Sequence, residues 1–188
     1  MTGEQQHRDL SLEDFVLLLN RREPADLTQE ELTESVDRLR LSDELVAAHA
    51  RFARDDYTRN LVLRTAVFEL LVLCWEPGQH TTIHDHDGSL NAIRVHSGEL
   101  TSRLYQAASG TPPRATGPVR MLDERHVRRG AMTGAGRDDI HRLANTGPEN
   151  LITIHVYAPP LMRLTVYAED RADTQVRPLR STLREDLA

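Results

Sequence analysis

GQHTTIHDHDGSLNAIRVHSG, residues 78–98, carries His84 and His86 one residue apart. Side chains two apart on a β-strand share a face, so both imidazoles can reach one ion. Gly78 and Gly98 bracket the stretch at turn-like positions, and a strand-like NAIRV run follows the pair. A third histidine, His141, lies in a separate segment, DIHRLAN (139–145). Three neutral imidazoles around a partly open coordination sphere make a catalytic metal site. His84, His86 and His141 are therefore the expected metal ligands.

Outward from that stretch the chain reads mainly as short strands. Tyr57 to Val62 is a strand, and Val67 to Trp75 is a nearly continuous apolar one, as in a buried position of a sandwich. Strands are expected over 92–95, 99–106, 119–127, around Met132, and over 139–143, 151–157 and 164–168, with a Ser/Gly/Pro/Thr-rich loop at 107–117. Before Asp56 the pattern is helical. Ser11 caps a helix through Leu19, Thr28 to Glu31 form a capping box, and Ser42 caps a helix through His49 and Phe52. His49 is read as a helix-surface or packing residue. The expected class is mainly β, a β-sandwich or barrel with an N-terminal α-helical section. One domain over 1–188 is expected: helices over 1–56, barrel over 57–168 and an irregular charged tail over 169–188.

Composition narrows the chemistry. The net charge is −6 with both signs mixed, and no basic cluster suggests nucleic acid; RHVRR (125–129) reads as a solvated edge. All 23 basic residues are arginine, which excludes a lysine Schiff base and a Walker lysine. Cys74 is the one cysteine and sits in an apolar run, so it reads as a small buried residue in a reducing compartment. The N-terminus has no signal-peptide pattern, and no apolar run is long enough to span a bilayer. A soluble cytoplasmic chain with no membrane partner is expected.

The spacing of residues 78–98 resembles the first cupin motif, G-x5-H-x-H-x4-E-x6-G, with Asn91 in place of the glutamate. His141 with Asn145 resembles the H-x3-N end of the second motif, without its proline. This implies a cupin jelly roll. Three further segments narrow the likeness: YTRNL (57–61), CWEPGQHTTIHDH (74–86), and HRLAN with IHVYAPP (141–145, 154–160). In this order and spacing they make the chain similar to thiol dioxygenases of the cysteine dioxygenase family.

The resemblance implies a mononuclear non-haem Fe(2+) held by His84, His86 and His141. It implies that Arg59 binds the substrate carboxylate, that Tyr57 lines the pocket, and that the Tyr157 hydroxyl lies near substrate and oxygen. It also ties Tyr157 to His155 and to position 153, where the family has serine and this chain has Thr153. Residues 153, 155 and 157 share one strand face, so a hydrogen-bonded relay is expected on geometry alone. In animal members a cysteine five residues after the second metal histidine forms a thioether with the tyrosine. Asn91 stands there, so no crosslink can form through it, as in bacterial members. The implied reaction is oxidation of L-cysteine by O2 to cysteine sulfinate by a monomer or weak homo-oligomer. One alternative is a 3-mercaptopropionate or other thiol-carboxylate dioxygenase, whose members generally carry glutamine where Arg59 stands. A second is a non-catalytic metal-binding cupin, against which Arg59 and Tyr157 speak.

Overall fold

The computed structural model describes residues 9–107 and 118–168, and the backbone of 175–178. Most of the loop expected at 107–117, the first eight residues and most of the expected tail lie outside the described residues. Three helices come first: α1 (Leu12–Leu19), α2 (Gln29–Arg38) and α3 (Asp43–His49). Each starts at the hydroxyl foreseen for it. Ser11 accepts from Asp14 N, Ser42 from Leu45 N, and Thr28 with Glu31 completes a reciprocal capping box. α3 ends at His49 rather than continuing through Phe52. His49 Nδ1 bonds Leu45 O within its own helix at 2.9 Å.

Eleven strands among the described residues build two antiparallel sheets. They are β1 (Thr58–Arg64), β2 (Glu69–Trp75), β3 (Ile83–His84), β4 (Leu90–Ser97), β5 (Glu99–Ala107), β6 (Val119–Arg128), β7 (Met132–Ala135), β8 (Ile140–Ala144), β9 (Leu151–Ala158), β10 (Arg163–Tyr167) and β11 (Gln175–Pro178). One sheet has the order β1-β2-β9-β4-β7, the other β11-β10-β3-β8-β5-β6. β11 pairs with β10, Leu164 opposite Arg177, so this part of the expected irregular tail extends the second sheet. RHVRR lies along β6, the edge strand of that sheet, and on the turn after it. No helix among the described residues is long and apolar enough to cross a membrane.

β2 reads as unbroken apolar sequence because both of its faces are covered. Leu70, Val72 and Cys74 join Phe15, Leu32 and Val36 of the helices in one core on the outer face of the five-stranded sheet. Leu71, Leu73 and Trp75 point the other way, into a second core shared with Leu100, Val127 and Leu143 of the opposing sheet. The two-residue alternation thus assigns each β2 side chain to the helical layer or to the space between the sheets. Its partner β9 is in register, Leu71 opposite His155 and Leu73 opposite Thr153, so residues 153, 155 and 157 face between the sheets.

Arg94 on β4 locks the helical layer to this sheet. Its Nη1 donates to Leu39 O at 2.5 Å and Val36 O at 3.2 Å, the carbonyl end of α2. A guanidinium there also meets the negative end of the helix dipole. Arg94→Ala is expected to lower stability by about 2–3 kcal/mol, the scale of charge-assisted bonds to half-buried acceptors. An unmoved urea midpoint in that variant would refute the role.

Candidate metal centre

The histidine stretch is only partly a strand. β3 ends at His84, and His86 lies beyond it, ahead of a turn with Asp87 at φ 48° and Gly88 at φ 92°. Ser89 N closes that turn on His86 O at 3.0 Å. The shared-face expectation for the two histidines is therefore replaced by a strand residue and a turn residue. Asp85 between them holds the segment. Its fully buried carboxylate accepts from Tyr167 Oη at 2.7 Å, from Asp87 N at 3.0 Å and from Thr165 N at 3.3 Å. Asp85 was not among the residues expected at the site, although a charged residue between two buried histidines needs partners of its own.

His141 comes from β8, directly opposite His84 across the β3–β8 pair. The three imidazoles converge. His141 Nε2 and His86 Nε2 lie 3.0 Å apart, and one nitrogen from each of the three rings falls within 4.8 Å of the others. Two nitrogens each about 2.1 Å from one ion at a right angle are themselves about 3.0 Å apart, so the spacing suits a shared metal. His84 Nδ1 meets Thr82 O at 2.9 Å and must donate to it. That fixes the tautomer and leaves the Nε2 lone pair for a ligand bond. Burial pushes His84 down to about 4 and holds His86 and His141 well below the usual imidazole range. The donor set is neutral, which is the form that binds metal.

On the facing sheet stand the other expected residues. Thr153 Oγ1 is 2.9 Å from His155 Nε2, and His155 Nδ1 is 3.3 Å from Tyr157 Oη. The Tyr157 ring packs edge-on against His86, centroids 5.3 Å apart, which joins this row to the histidines. Arg59 on β1 donates from Nη1 to Tyr157 Oη at 3.5 Å, with its guanidinium carbon 5.2 Å from the ring centre. Tyr57 stacks on Trp75 with ring centroids 4.3 Å apart and packs against the inter-sheet core that holds Tyr157. Asn91 lies opposite Tyr157, with Nδ2 donating to Val156 O at 3.2 Å and Oδ1 unpartnered.

Two further contributors were not singled out from the sequence. Glu69, fully buried, takes Arg64 at 2.6 Å and Arg59 at 3.4 Å, and accepts from Leu161 N. Arg59 and Arg64 thus share one carboxylate beside Tyr157. A lone acid inside FELLVLCW (68–75) was the available signal, since a buried carboxylate must be paired. Trp75, the one tryptophan, donates from Nε1 to Thr153 Oγ1 at 2.9 Å. Asn145 donates to Trp75 O at 3.1 Å and Glu149 O at 2.8 Å, so the asparagine after His141 braces the end of β2.

Metal-free protein is expected to lose stability as pH falls from about 6.5 towards 4. The unfolded chain takes up protons near the ordinary histidine value of 6.5, whereas His84 in the folded state resists to about 4. The unfolded state therefore binds more protons through that window, and stability falls with pH. Thermal melts of metal-free protein at pH 7 and 5 test this. An equal or higher midpoint at pH 5 would contradict it.

Known proteins share the fold. The Klebsiella pneumoniae protein with a double-stranded β-helix domain aligns with TM-score 0.51 at 24% identity, over 68% of this chain and 91% of that one. The TT1209 protein of Thermus thermophilus aligns with TM-score 0.51 at 18% identity, over 64% and 97%. Both are likenesses of fold, the cupin-type double-stranded β-helix expected from the sequence. Among sequence relatives, cysteine dioxygenase type 1 of Rattus norvegicus is 30% identical over 117 residues, 61% of this chain and 56% of that protein. The match thus spans a little over half the rat protein's length. The Homo sapiens protein of the same name is 27% identical over 154 residues, 80% of this chain and 75% of that one. The profile of the family described as cysteine dioxygenase type I matches residues 19–170. With that span covering most of both sheets and every residue of the cluster, the chain belongs to the cysteine dioxygenase type I family.

Proposed function

We propose that this chain is a ferrous thiol dioxygenase that oxidises L-cysteine with O2 to cysteine sulfinate. The carrying observation is Arg59. It is a buried guanidinium beside Tyr157, incompletely neutralised by Glu69, with its Nε without a partner. A buried donor with no acceptor has a standing need for one, and a substrate carboxylate meets it. The likeness to proteins named cysteine dioxygenase type 1 supports the same substrate class.

In this reading His84, His86 and His141 would hold Fe(2+), which when bound would supply O2 activation and favour the deprotonated form of the thiol. The overall change is balanced without an external reductant: a thiol and O2 give a sulfinic acid, with both oxygen atoms on sulfur. The protein's part is binding and orientation. Arg59 fixes the carboxylate end, and Glu69 keeps the guanidinium in place without cancelling its charge. Tyr157 presents its hydroxyl to the ligand, while Arg59 and His155 hold that oxygen from behind. Burial pushes the Tyr157 hydroxyl up from its usual range, so it serves as a proton donor rather than a phenolate. Tyr57 and Trp75 make a stacked wall that excludes water. The buried free thiol of Cys74 fits a reducing cytoplasmic setting.

Two measurements test the proposal. Protein as expressed is expected to contain mainly iron, and His86→Ala is expected to lose most of it; stoichiometric iron in that variant would rule out the ligand set. Arg59→Ala is expected to raise KM for cysteine at least about tenfold, equivalent to roughly 1.4 kcal/mol, with unchanged iron content. Cysteamine, lacking the carboxylate, is expected to be a poor substrate that loses little more in the variant. Unaltered cysteine kinetics in Arg59→Ala would remove the case for a carboxylate clamp. Oxygen uptake with cysteine and 3-mercaptopropionate in parallel separates the two substrates.

A further inference from the structure

The row on β9 does not begin at Thr153. Trp75 Nε1 reaches Thr153 Oγ1 at 2.9 Å, Thr153 Oγ1 reaches His155 Nε2 at 2.9 Å, and His155 Nδ1 reaches Tyr157 Oη at 3.3 Å. Four side chains form one line from the end of β2 towards the metal cluster, joined by Arg59 at its Tyr157 end, and Trp75, Thr153 and His155 are fully buried. Such a line has a proton direction, and its two ends differ in chemistry. An indole N–H can only donate. A tyrosine hydroxyl can do either.

We infer that Trp75 sets the proton direction of this line, holding His155 as its Nδ1–H tautomer and leaving the Tyr157 hydroxyl proton for the bound ligand. Trp75 fills one lone pair of Thr153 Oγ1 and pins its rotamer. Among the described residues, His155 Nε2 is the acceptor placed for the Thr153 hydroxyl hydrogen. His155 Nε2 then accepts, and the neutral ring carries its proton on Nδ1 and donates to Tyr157 Oη. Arg59 Nη1 donates to the same oxygen at 3.5 Å. With two donors on its oxygen, Tyr157 has its own hydrogen to offer outward.

The reverse direction fails on one atom. If Tyr157 donated to His155 Nδ1, His155 Nε2–H would donate to Thr153 Oγ1, which already accepts from Trp75. The Thr153 hydrogen would then be a buried donor facing no acceptor, at the full cost of its desolvation. In the favoured direction the surplus hydrogen sits at Tyr157, where a ligand can take it. Tyr57, stacked on the indole at 4.3 Å and 12°, keeps the ring plane fixed. Asn145 holds the Trp75 carbonyl. Trp75 is thus a positioning residue that acts through Thr153 and His155. The consequence for catalysis rests on the dioxygenase reading above, but the tautomer does not.

The test uses protein labelled with 15N-histidine and loaded with Zn2+, a diamagnetic stand-in. In the parent, His155 should show a protonated Nδ1 and a bare Nε2. Trp75→Phe keeps an aromatic ring on Tyr57 but removes the donor, and should give a mixed or reversed tautomer. Thr153→Val, near-isosteric and free of the hydroxyl, should do the same, and Thr153→Ser should restore the parent spectrum. With iron and cysteine, Trp75→Phe should lower kcat about tenfold, less than the roughly 10²–10⁴ of a lost proton donor because the Tyr157 hydroxyl is kept and only its orientation changes, with KM within about twofold. A protonated Nε2 in the parent would overturn the inference. So would a parent-like tautomer in both Trp75→Phe and Thr153→Val. No oxygen uptake by the parent with cysteine would count against the dioxygenase reading alone, because the histidine spectrum still decides this one.

Discussion

β3 is two residues long, and its pairing with β8 puts His84 directly opposite His141. The remaining site geometry depends on that register. A one-residue slip would turn His141 to the other face of its sheet and separate it from His86, 3.0 Å away. A strand so short has little pairing of its own, so side chains beyond it maintain the register. Asp85 supplies much of this, tied to Tyr167 and Thr165 on β10. β10 itself pairs with β3, Val166 opposite His84.

A second constraint comes from burial. Four buried imidazoles, a guanidinium, two carboxylates and a phenol gather in an otherwise apolar interior, and each polar atom there needs a partner. Most have one. Glu69 answers Arg59 and Arg64, Asp85 answers Tyr167, and Thr153 joins Trp75 to His155. Arg59 Nε, His86 Nδ1 and Asn91 Oδ1 do not, and all three flank Tyr157. Unmet donors and acceptors on residues that neighbour one tyrosine are the pattern a polar ligand completes. The neutral histidine set fits the same logic, because burial that keeps the rings uncharged also keeps them ready for a metal.

The layers divide the labour. The helices cover the outer face of the five-stranded sheet, so its inner face can carry chemistry without exposing the strands to water. Arg94 fastens α2 to β4, and the capping hydroxyls start each helix at a defined residue. Rigid strands on both sides then hold the site to the precision that binding two reactants at one centre requires.

Much of this was legible in the sequence, for local reasons. Helix starts followed from Ser11, Thr28 and Ser42, whose hydroxyls meet amides only three residues ahead. The two-residue period placed Thr153, His155 and Tyr157 on one face of β9, and the spacing of three histidines carried the metal expectation. Other features belonged to tertiary structure alone. That His86 sits in a turn, that β11 closes one sheet, and that Glu69, Asp85 and Trp75 support the cluster are facts of contact between distant segments. Strand periodicity states which side of a sheet a residue faces. Which partner waits there depends on sheet order and register, which bring Trp75 to Thr153 and His84 to His141 only once the chain has folded.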